Sequence, residues 1–268
     1  MAAERRERSG DVERLHMSRS LAGRAIQWTS VYRVGDALVD SGCSSARPVF
    51  ARFLRERAPL VSLVTHEHED HIGNHALLPA DTRVAAPALA ARFLRDGHPP
   101  FPFYRRFVWG YHEPARGADL VGDKVDVAGR AFRVLQTNGH SMDHVAYLDE
   151  RENGLFSGDA YMGKLKSVLN EEDVHTELAS LRAMAALDPA TLYPAHGPVI
   201  ERPRARLLDT VAYFEDLWRR AWAMKERRVP ERKIARELLG GPQWITRISM
   251  GEFSEENLVR NLLRRPLP

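Results

Sequence analysis

Short apolar runs alternate with helically spaced segments along most of the chain, and this pattern predicts a mixed α/β fold. The predicted strands lie at 26–34, 37–40, 60–65, 82–87, 123–137 (a hairpin), 144–149, 154–159 and 191–196. The predicted helices lie at 47–58, 88–95, 172–187, 203–225, 230–239 and 254–263. Several of these strands end in His or Asp, which directs attention to the loops that follow them.

Residues 98–117 interrupt this pattern. They are rich in proline and aromatic residues and have no clear period, so they predict a long loop. A loop of this length inside a compact domain is usually functional or disordered, and the many aromatic residues argue against disorder. We therefore expect the segment to wall a functional site together with the C-terminal helices.

The chain is expected to have three parts. Residues 1–24 mix acids with arginines and contain no apolar stretch, so they predict a flexible arm rather than a signal or transit peptide. Met17 leaves a later translation start open. Residues 25–202 hold the strands and predict the main domain, and residues 203–268 predict a helical extension whose last helix begins at the N-cap Ser254.

Composition narrows the class of protein. The hydrophobic content of 44% and the charged content of 28% are ordinary for a soluble globular protein. The one cysteine, Cys43, excludes an internal disulfide framework and fits a cytoplasmic location. The longest apolar runs fall short of the roughly 18 residues of a membrane span, so no membrane association is expected. Residues 201–268 hold 15 Lys and Arg against 10 Asp and Glu, so the net charge of +3 resides in the tail and weakens a nucleic-acid interpretation.

The sequence "THEHEDHIGN" directly follows the apolar run "PLVSLV". His66 and His68 are two residues apart and can point the same way at the end of a buried strand. Asp70 and His71 follow at once and can face a second point nearby. Imidazole and carboxylate groups together suit zinc and, less selectively, iron or manganese. The motif therefore predicts a metal site.

Three matching residues lie downstream, each where a predicted strand meets a loop. They are His140 in "TNGHSMDH", Asp159 in "LFSGDAY" and His196 in "YPAHGPV". The whole group supplies three nitrogens for one metal ion, a carboxylate and two nitrogens for another, and one carboxylate to bridge them. Such a set leaves a position open for water, as catalytic zinc sites do.

These motifs resemble those of the metallo-β-lactamase superfamily. "HEHEDH" fits its H-x-H-x-D-H signature, and "LVDSG", "GHS", "FSGD" and "PAHG" fit its later motifs in the right order between Ile26 and Ile200. The resemblance implies a four-layer αββα sandwich of two mixed β-sheets flanked by helices, followed by the helical C-terminal tail. Residues 25–202 would then form the catalytic domain.

The resemblance also implies the metal ligands and their order. They are His66, His68 and His140 for the first ion, Asp70, His71 and His196 for the second, and Asp159 between the two. Asp40 in "LVDSG" would orient a ligand imidazole. Asn138 stands where the family usually has proline before the glycine of the "GH" motif, and that departure affects a turn rather than a ligand.

The chemistry of such a site is hydrolytic. Two cations that share a water lower its pKa from 15.7 towards about 7, which provides a bridging hydroxide at neutral pH. Zinc is the expected ion at both positions, with iron or manganese as alternatives. Asp70 is the predicted catalytic residue, because it can orient the hydroxide and carry its proton after attack. No nucleophilic Ser or Cys is needed.

The remaining polar residues receive structural roles. His144 is expected to support a ligand or pack rather than bind metal, and His75 to begin a helix that faces away. Glu67 and Glu69 are expected to face solvent or neighbouring backbone. A surface position is expected for His16, His98, His112, His175, Tyr161, Lys164 and Lys166. Substrate contact is the alternative for His98 and His112, which lie in the aromatic loop, and for Tyr161, Lys164 and Lys166, which could reach a substrate anion. Inert packing is expected for Cys43.

Two residues separate branches of the superfamily. Asp159 stands where the true β-lactamases generally have Cys or Ser, and His68 stands where flavo-diiron proteins have an acid. The chain has no room for the inserted domain of the large nucleases. What remains resembles the glyoxalase-II-like hydrolases and the lactamase-like endoribonucleases.

The first functional hypothesis is a binuclear metal hydrolase acting on a small-molecule acyl substrate, which is an ester, thioester or lactone. The alternative is an endoribonuclease or phosphodiesterase that acts on single-stranded RNA and docks it on the basic tail. That alternative is weakened because no wing hairpin is evident after "GPQWITRIS". A non-catalytic module with structural metals is a third interpretation, which an open water position makes hard to justify.

Overall fold

The computed structural model describes residues 2–266 and builds two large β-sheets. The first sheet consists of β1 (Ala2–Ser9), β2 (Val12–Leu21), β3 (Arg24–Ala25), β4 (Thr29–Val34), β5 (Ala37–Val39), β6 (Val61–Leu63), β7 (Arg83–Ala86) and β8 (Asp119–Leu120). Strands β5, β6, β7 and β8 run parallel. The carboxyl ends of these strands meet at one edge, the usual place for a ligand site in such sheets.

The second sheet is mostly antiparallel. It consists of β9 (Lys124–Val127), β10 (Arg130–Gln136), β11 (Val145–Asp149), β12 (Gly154–Gly158), β14 (Thr191–Pro194) and β15 (Ile200–Glu201). Strands β12 and β14 are parallel neighbours, so Asp159 and His196, which follow them, emerge at the same edge. Strand β13 (Val168–Leu169) pairs with β16 (Phe253–Ser254) in a separate small ribbon.

Helices cover both sheets and also surround the parallel edge. They are α1 (Arg47–Glu56), α2 (Glu69–Ile72), α3 (Ala88–Asp96), α4 (Phe103–Trp109), α5 (Val174–Ala186), α6 (Arg204–Glu226), α7 (Glu231–Leu239), α8 (Trp244–Ile248) and α9 (Glu255–Leu262). All six predicted helices are present. The prediction of a helix-free loop over 98–117 is wrong, because α4 forms between Pro102, at its N-cap, and Gly110, at its C-cap.

Apolar packing divides the molecule into four layers. Side chains such as Val39 and Leu63 of the first sheet meet Phe132, Tyr147 and Phe156 of the second. The outer face of the first sheet packs on α1 and α3, and the outer face of the second packs on α5, α6, α7 and α9. The predicted αββα sandwich with a helical C-terminal region is confirmed.

The prediction of a flexible arm over residues 1–24 is wrong for the described part, residues 2–24. Strands β1 and β2 form a hairpin in register from Ala2 with Arg19 to Ser9 with Val12, and β2 continues the sheet beside β4. The sequence did not predict β2 as a strand because only one of its two buried faces is apolar, and the other consists of polar side chains. Leu15 and Met17 pack against the α1 layer, whereas the polar face of β2 turns inward.

The C-terminal helices join the core of the second sheet rather than standing apart from it. Leu207 and Trp218 of α6 and Leu258 of α9 belong to the same apolar cluster as Leu155 of β12. Ser254 caps α9 as predicted, since its hydroxyl accepts from the Asn257 amide at 3.2 Å. The domain division at residue 203 stays a prediction. Among the described residues, no helix combines the length and apolar character that crossing a membrane requires.

Candidate metal centre

The HEHEDH segment, residues 66–71, follows the end of β6 in the first sheet. Its chain turns out of the sheet at Thr65, passes through His66 and His68, and enters the short helix α2, which carries Asp70 and His71. On the second sheet, Gly158 allows β12 to approach this turn. Its φ is +50°, and a Cβ there would lie 2.8 Å from His144 Nε2 and 2.9 Å from the Thr65 side chain. A residue larger than glycine before Asp159 would therefore push the two sheets apart.

The structure brings all seven predicted ligand residues together in two groups. In each group, the possible ligand atoms lie within 4.8 Å of one another. The first group is His66, His68, His140 and Asp159, and the second is Asp70, His71, Asp159 and His196. Asp159 belongs to both groups.

In the first group, three imidazoles face one another. The Nδ1 of His66 lies 3.0 Å from the Thr65 hydroxyl, which leaves its Nε2 buried and without a hydrogen-bond partner. His140 Nε2 lies 3.0 Å from His68 Nδ1 and 3.4 Å from Asp159 Oδ2. The nitrogens that could coordinate a metal ion are thus directed at a common point.

In the second group, two carboxylates meet two imidazoles. His71 Nε2 lies 3.2 Å from Asp159 Oδ1 and 3.6 Å from Asp70 Oδ2. His196 Nε2 lies 3.2 Å from Asp70 Oδ2 and 3.4 Å from Asp159 Oδ2. Buried carboxylates this close to neutral or charged imidazoles form a donor set that suits divalent cations.

Hydrogen bonds from outside the groups fix the orientation of the rings. Asp40 accepts from the Thr65 amide at 2.8 Å, and its other oxygen lies 2.8 Å from His71 Nδ1. This is the carboxylate contact predicted from "LVDSG". His196 Nδ1 donates to the Trp28 carbonyl at 2.6 Å. Each contact leaves the opposite ring nitrogen, Nε2, free to face the donor set.

Burial and charge give the two groups opposite titration behaviour. Burial lowers the pKa of His66 and of His68 well below the ordinary value. Burial also disfavours the charged form of His71, but Asp159 and Asp70 outweigh it and raise the pKa of His71 well above the ordinary value. Against the effect of burial, His196 and His71 lower the pKa of Asp159.

Structural roles were predicted for His144 and His75, and both lie behind the donor set. His144 Nδ1 lies 2.8 Å from the Thr137 hydroxyl, and its Nε2 accepts the Asp159 amide hydrogen at 3.1 Å. It is therefore a support for Asp159, as expected. His75 begins a short 3-10 helix and lies between the hydroxyls of Ser41, at 2.8 Å, and Ser62, at 3.1 Å.

Of the two environments expected for Glu67 and Glu69, solvent or neighbouring backbone, the first is wrong, since both are buried. Glu69 pairs with Arg105 of α4, which the sequence did not reveal because α4 was expected to be a loop. His16, His112 and His175 are buried as well, and His98 is half-buried. Each of the three buried rings has a local polar partner: the Ser30 hydroxyl, the Phe93 carbonyl and the Asn261 carbonyl, respectively.

A cavity of about 440 Å³ opens above the donor set. Its floor includes His68, Asp70, His140, Asp159 and His196. Its walls come from α4 and the C-terminal region, as expected, and consist of Tyr104, Arg105, Val108, Trp109, Gln243, Trp244, Ile245 and Phe253. Lys164 and Lys166 are exposed at its side, and Lys164 pairs with Asp209 at 2.9 Å. Tyr161 is buried, contrary to expectation.

Comparison with known proteins establishes the family. The sequence profile of the metallo-β-lactamase superfamily matches residues 29–196, a span that contains all seven residues of the two groups. The chain belongs to the metallo-β-lactamase superfamily.

Particular relatives are similar over most of this chain but are longer than it. The lactamase-like protein adaB of Aspergillus niger is 32% identical over 212 residues, which cover 75% of this chain and 60% of that protein. The atrochrysone carboxyl ACP thioesterase of Aspergillus fumigatus is 30% identical over 190 residues, which cover 68% of this chain and 55% of that protein. This chain therefore spans about 60% or less of the length of these two relatives.

A solved structure shows the same fold. The metallo-β-lactamase family protein of Thermus thermophilus superposes with a TM-score of 0.69 at 21% sequence identity. The superposition covers 94% of this chain and 93% of that one, so it includes most of the C-terminal helices.

Proposed function

We propose that the chain is a binuclear metal-dependent hydrolase of a small acyl substrate, with a thioester as the first candidate and an ester or lactone as alternatives. The observation that carries the proposal is the sharing of Asp159 by two donor groups at the floor of a cavity. Membership of a superfamily of metal hydrolases and the thioesterase name of one relative support it.

The residues present fit two divalent cations. His66, His68 and His140 would hold the first, Asp70, His71 and His196 the second, and Asp159 would contribute to both. Zinc is the proposed ion, because imidazole with carboxylate is its common ligand set in catalytic sites. When bound, the ions lower the pKa of water and polarise the acyl carbonyl oxygen of the substrate.

The protein itself supplies the proton acceptor. Asp70 faces the cavity, and its Oδ2 is held 3.2 Å from His196 Nε2. Its carboxylate can therefore hold an attacking water in one orientation and accept the proton that the water loses. The same proton then passes to the leaving sulfur or oxygen as its bond to the acyl carbon breaks, and the thiol or alcohol departs towards the open side of the cavity, beside Lys164 and Lys166.

The walls favour an acyl group over a nucleic acid. A volume of about 440 Å³ suits a small molecule. The tail contributes Gln243, Trp244, Ile245 and Phe253 to the walls, and none of the described tail arginines lines the cavity. A phosphodiester backbone needs clustered Lys and Arg beside the reacting centre. Of the cations that line this cavity, Arg105 is paired with Glu69 and Lys164 with Asp209.

The test combines metal analysis with activity on a panel of thioesters, esters and lactones. We expect about two equivalents of zinc, activity on one acyl class, and loss of that activity with a chelator and with Asp159→Asn. The matched control is Asp188→Asn, since Asp188 is an exposed aspartate outside the site whose backbone conformation asparagine also adopts. Labelled single-stranded RNA is assayed in parallel.

Three outcomes would contradict the proposal. They are purified protein that binds no metal, acyl hydrolysis that survives complete metal removal, and cleavage of RNA with no activity on any acyl substrate. The last outcome would instead support the phosphodiesterase alternative.

A further inference from the structure

One imidazole of the donor set lacks the support that its counterparts have. The other rings whose Nε2 faces the donor groups have Nδ1 held at 3.0 Å or less, in the pairs His66 with Thr65, His71 with Asp40, and His196 with the Trp28 carbonyl. His140 Nδ1 is buried and has no hydrogen-bond partner. Its closest carboxylate oxygen is Oε1 of Glu172, at 3.7 Å.

Glu172 is itself incompletely paired. Its side chain is fully buried, and its Oε2 also lacks a hydrogen-bond partner. A buried polar atom without a partner destabilises the folded state, so unpaired atoms on two facing side chains are seldom left in a folded protein without a reason. A distance of 3.7 Å is too long for a direct hydrogen bond, and a small rotation of the His140 ring closes it.

The main chain at Glu172 is fixed in place by the C-terminal helix α9. Asn261 donates its side-chain amide to the Glu172 carbonyl and accepts from the Val174 amide at 3.1 Å. Glu172 Oε1 accepts from the Leu169 amide at 3.0 Å, which sets the direction of the carboxylate. The acid is therefore held in one orientation before any metal ion binds.

We propose that Glu172 is a positioning residue for His140: its carboxylate accepts the Nδ1 hydrogen of that ring and so directs Nε2 at the first metal ion. This inference rests on the proposed function, because it assumes that His140 is a metal ligand. Glu172 then orients His140 of the first donor group as Asp40 orients His71 of the second. Carboxylates in this position fix the tautomer of a ligand histidine and raise its basicity.

The experiment measures zinc affinity by chelator competition in the full chain, with Glu172→Gln and Glu172→Met. Glu172→Gln keeps the shape and an accepting oxygen but cannot ionise, and Glu172→Met removes the acceptor. We expect one of the two zinc ions to bind about 10- to 100-fold more weakly, more so in Glu172→Met, while the other keeps its affinity. The visible spectrum of cobalt-substituted protein should change for the same ion.

The matched control is Glu171→Gln. Glu171 is the neighbouring acid in the chain, and its side chain is exposed rather than buried beside His140. The inference is overturned if both Glu172 variants bind two ions as the unchanged protein does, if both ions weaken equally, or if Glu171→Gln matches their effect. Unchanged protein that binds no zinc would instead refute the proposed function, so the two failures are distinguishable.

Discussion

Arg105 donates two hydrogen bonds to Glu69, from Nε at 2.7 Å and from Nη2 at 2.6 Å. This pair joins α4, which forms one wall of the cavity, to the segment that carries the donor residues on either side of Glu69. Both side chains are almost completely buried. The third nitrogen of Arg105 lies 3.8 Å from Glu252, so the same side chain also faces the C-terminal region.

We predict that Arg105→Met destabilises the protein by about 3–5 kcal/mol, because it leaves the Glu69 charge buried without its partner. Glu69→Gln added to that variant should restore much of the loss, since the uncompensated charge is then gone. Urea unfolding of both variants and of Glu69→Gln alone forms a double-mutant cycle. An Arg105→Met protein as stable as the unchanged chain would show that the pair does not hold α4 in place.

The seven predicted ligand residues lie together in the structure because they all follow the ends of strands in the two sheets. An apolar run fixes both the strand and the place where the chain leaves the sheet, as at His66 after β6 and Asp159 after β12. The αββα layers followed from family motifs rather than from periodicity alone. The ends of strands and the order of motifs can both be identified in a single sequence.

What the sequence did not reveal depends on contacts between distant segments. The ion pair of Glu69 was not predicted because its partner, Arg105, lies 36 residues away on a helix whose proline and aromatic residues indicated a loop. Residues 2–24 looked flexible because the polar side chains of β2 find their partners in distant segments, as Arg14 does at Ser30 and Gly197. In both cases a buried charged residue is paired with a residue distant in sequence. The hydrophobic periodicity of the chain carries no information about such contacts.

The polar face of β2 leads to a second prediction. Arg14 Nη2 donates to the Gly197 carbonyl at 2.5 Å and to the Ser30 hydroxyl at 2.8 Å, and that hydroxyl donates to the Ala195 carbonyl at 2.8 Å. These bonds hold both neighbours of His196. Arg14→Met should therefore weaken binding of the second zinc ion and lower activity about tenfold or more.

The control for Arg14 lies on the same hairpin. Arg8 is exposed and bonds only to the nearby Gly10 carbonyl among the described contacts, so Arg8→Gln should leave zinc binding unchanged. Zinc titration of both variants is the measurement. Equal affinity in Arg14→Met and the unchanged protein would mean that β2 does not position His196.

His75 gives a prediction about pH. Burial lowers its pKa to about 3, so the folded protein holds the ring neutral between two serine hydroxyls. Because the unfolded chain takes up this proton near pH 6.5, the stabilising contribution of neutral His75 is present above that pH and is lost as the pH falls towards 3.

We therefore expect the stability difference between the unchanged protein and His75→Gln to shrink by about 1.4 kcal/mol per pH unit below about pH 6.5. The glutamine amide can bond to both serines but has no proton to gain. Denaturant unfolding at pH 7, 6 and 5 measures this difference and cancels the titration of the other histidines. A difference that stays constant over this range would show that His75 is not held neutral.

The sharing of Asp159 predicts an asymmetry among ligand variants. His68 belongs only to the first donor group and His196 only to the second, whereas Asp159 belongs to both. His68→Asn and His196→Asn should each retain one tightly bound zinc ion, and Asp159→Asn should weaken the binding of both ions.

Each lost ion removes about 2.7 kcal/mol of stabilisation when zinc is present at a hundred times its dissociation constant. Thermal unfolding in matched zinc and chelator buffers, with zinc counted in the same samples, would show the zinc-dependent rise in Tm reduced in the histidine variants and nearly abolished in Asp159→Asn. If Asp159→Asn lost only one ion, the carboxylate would belong to a single metal site, and the two donor groups would have to act independently.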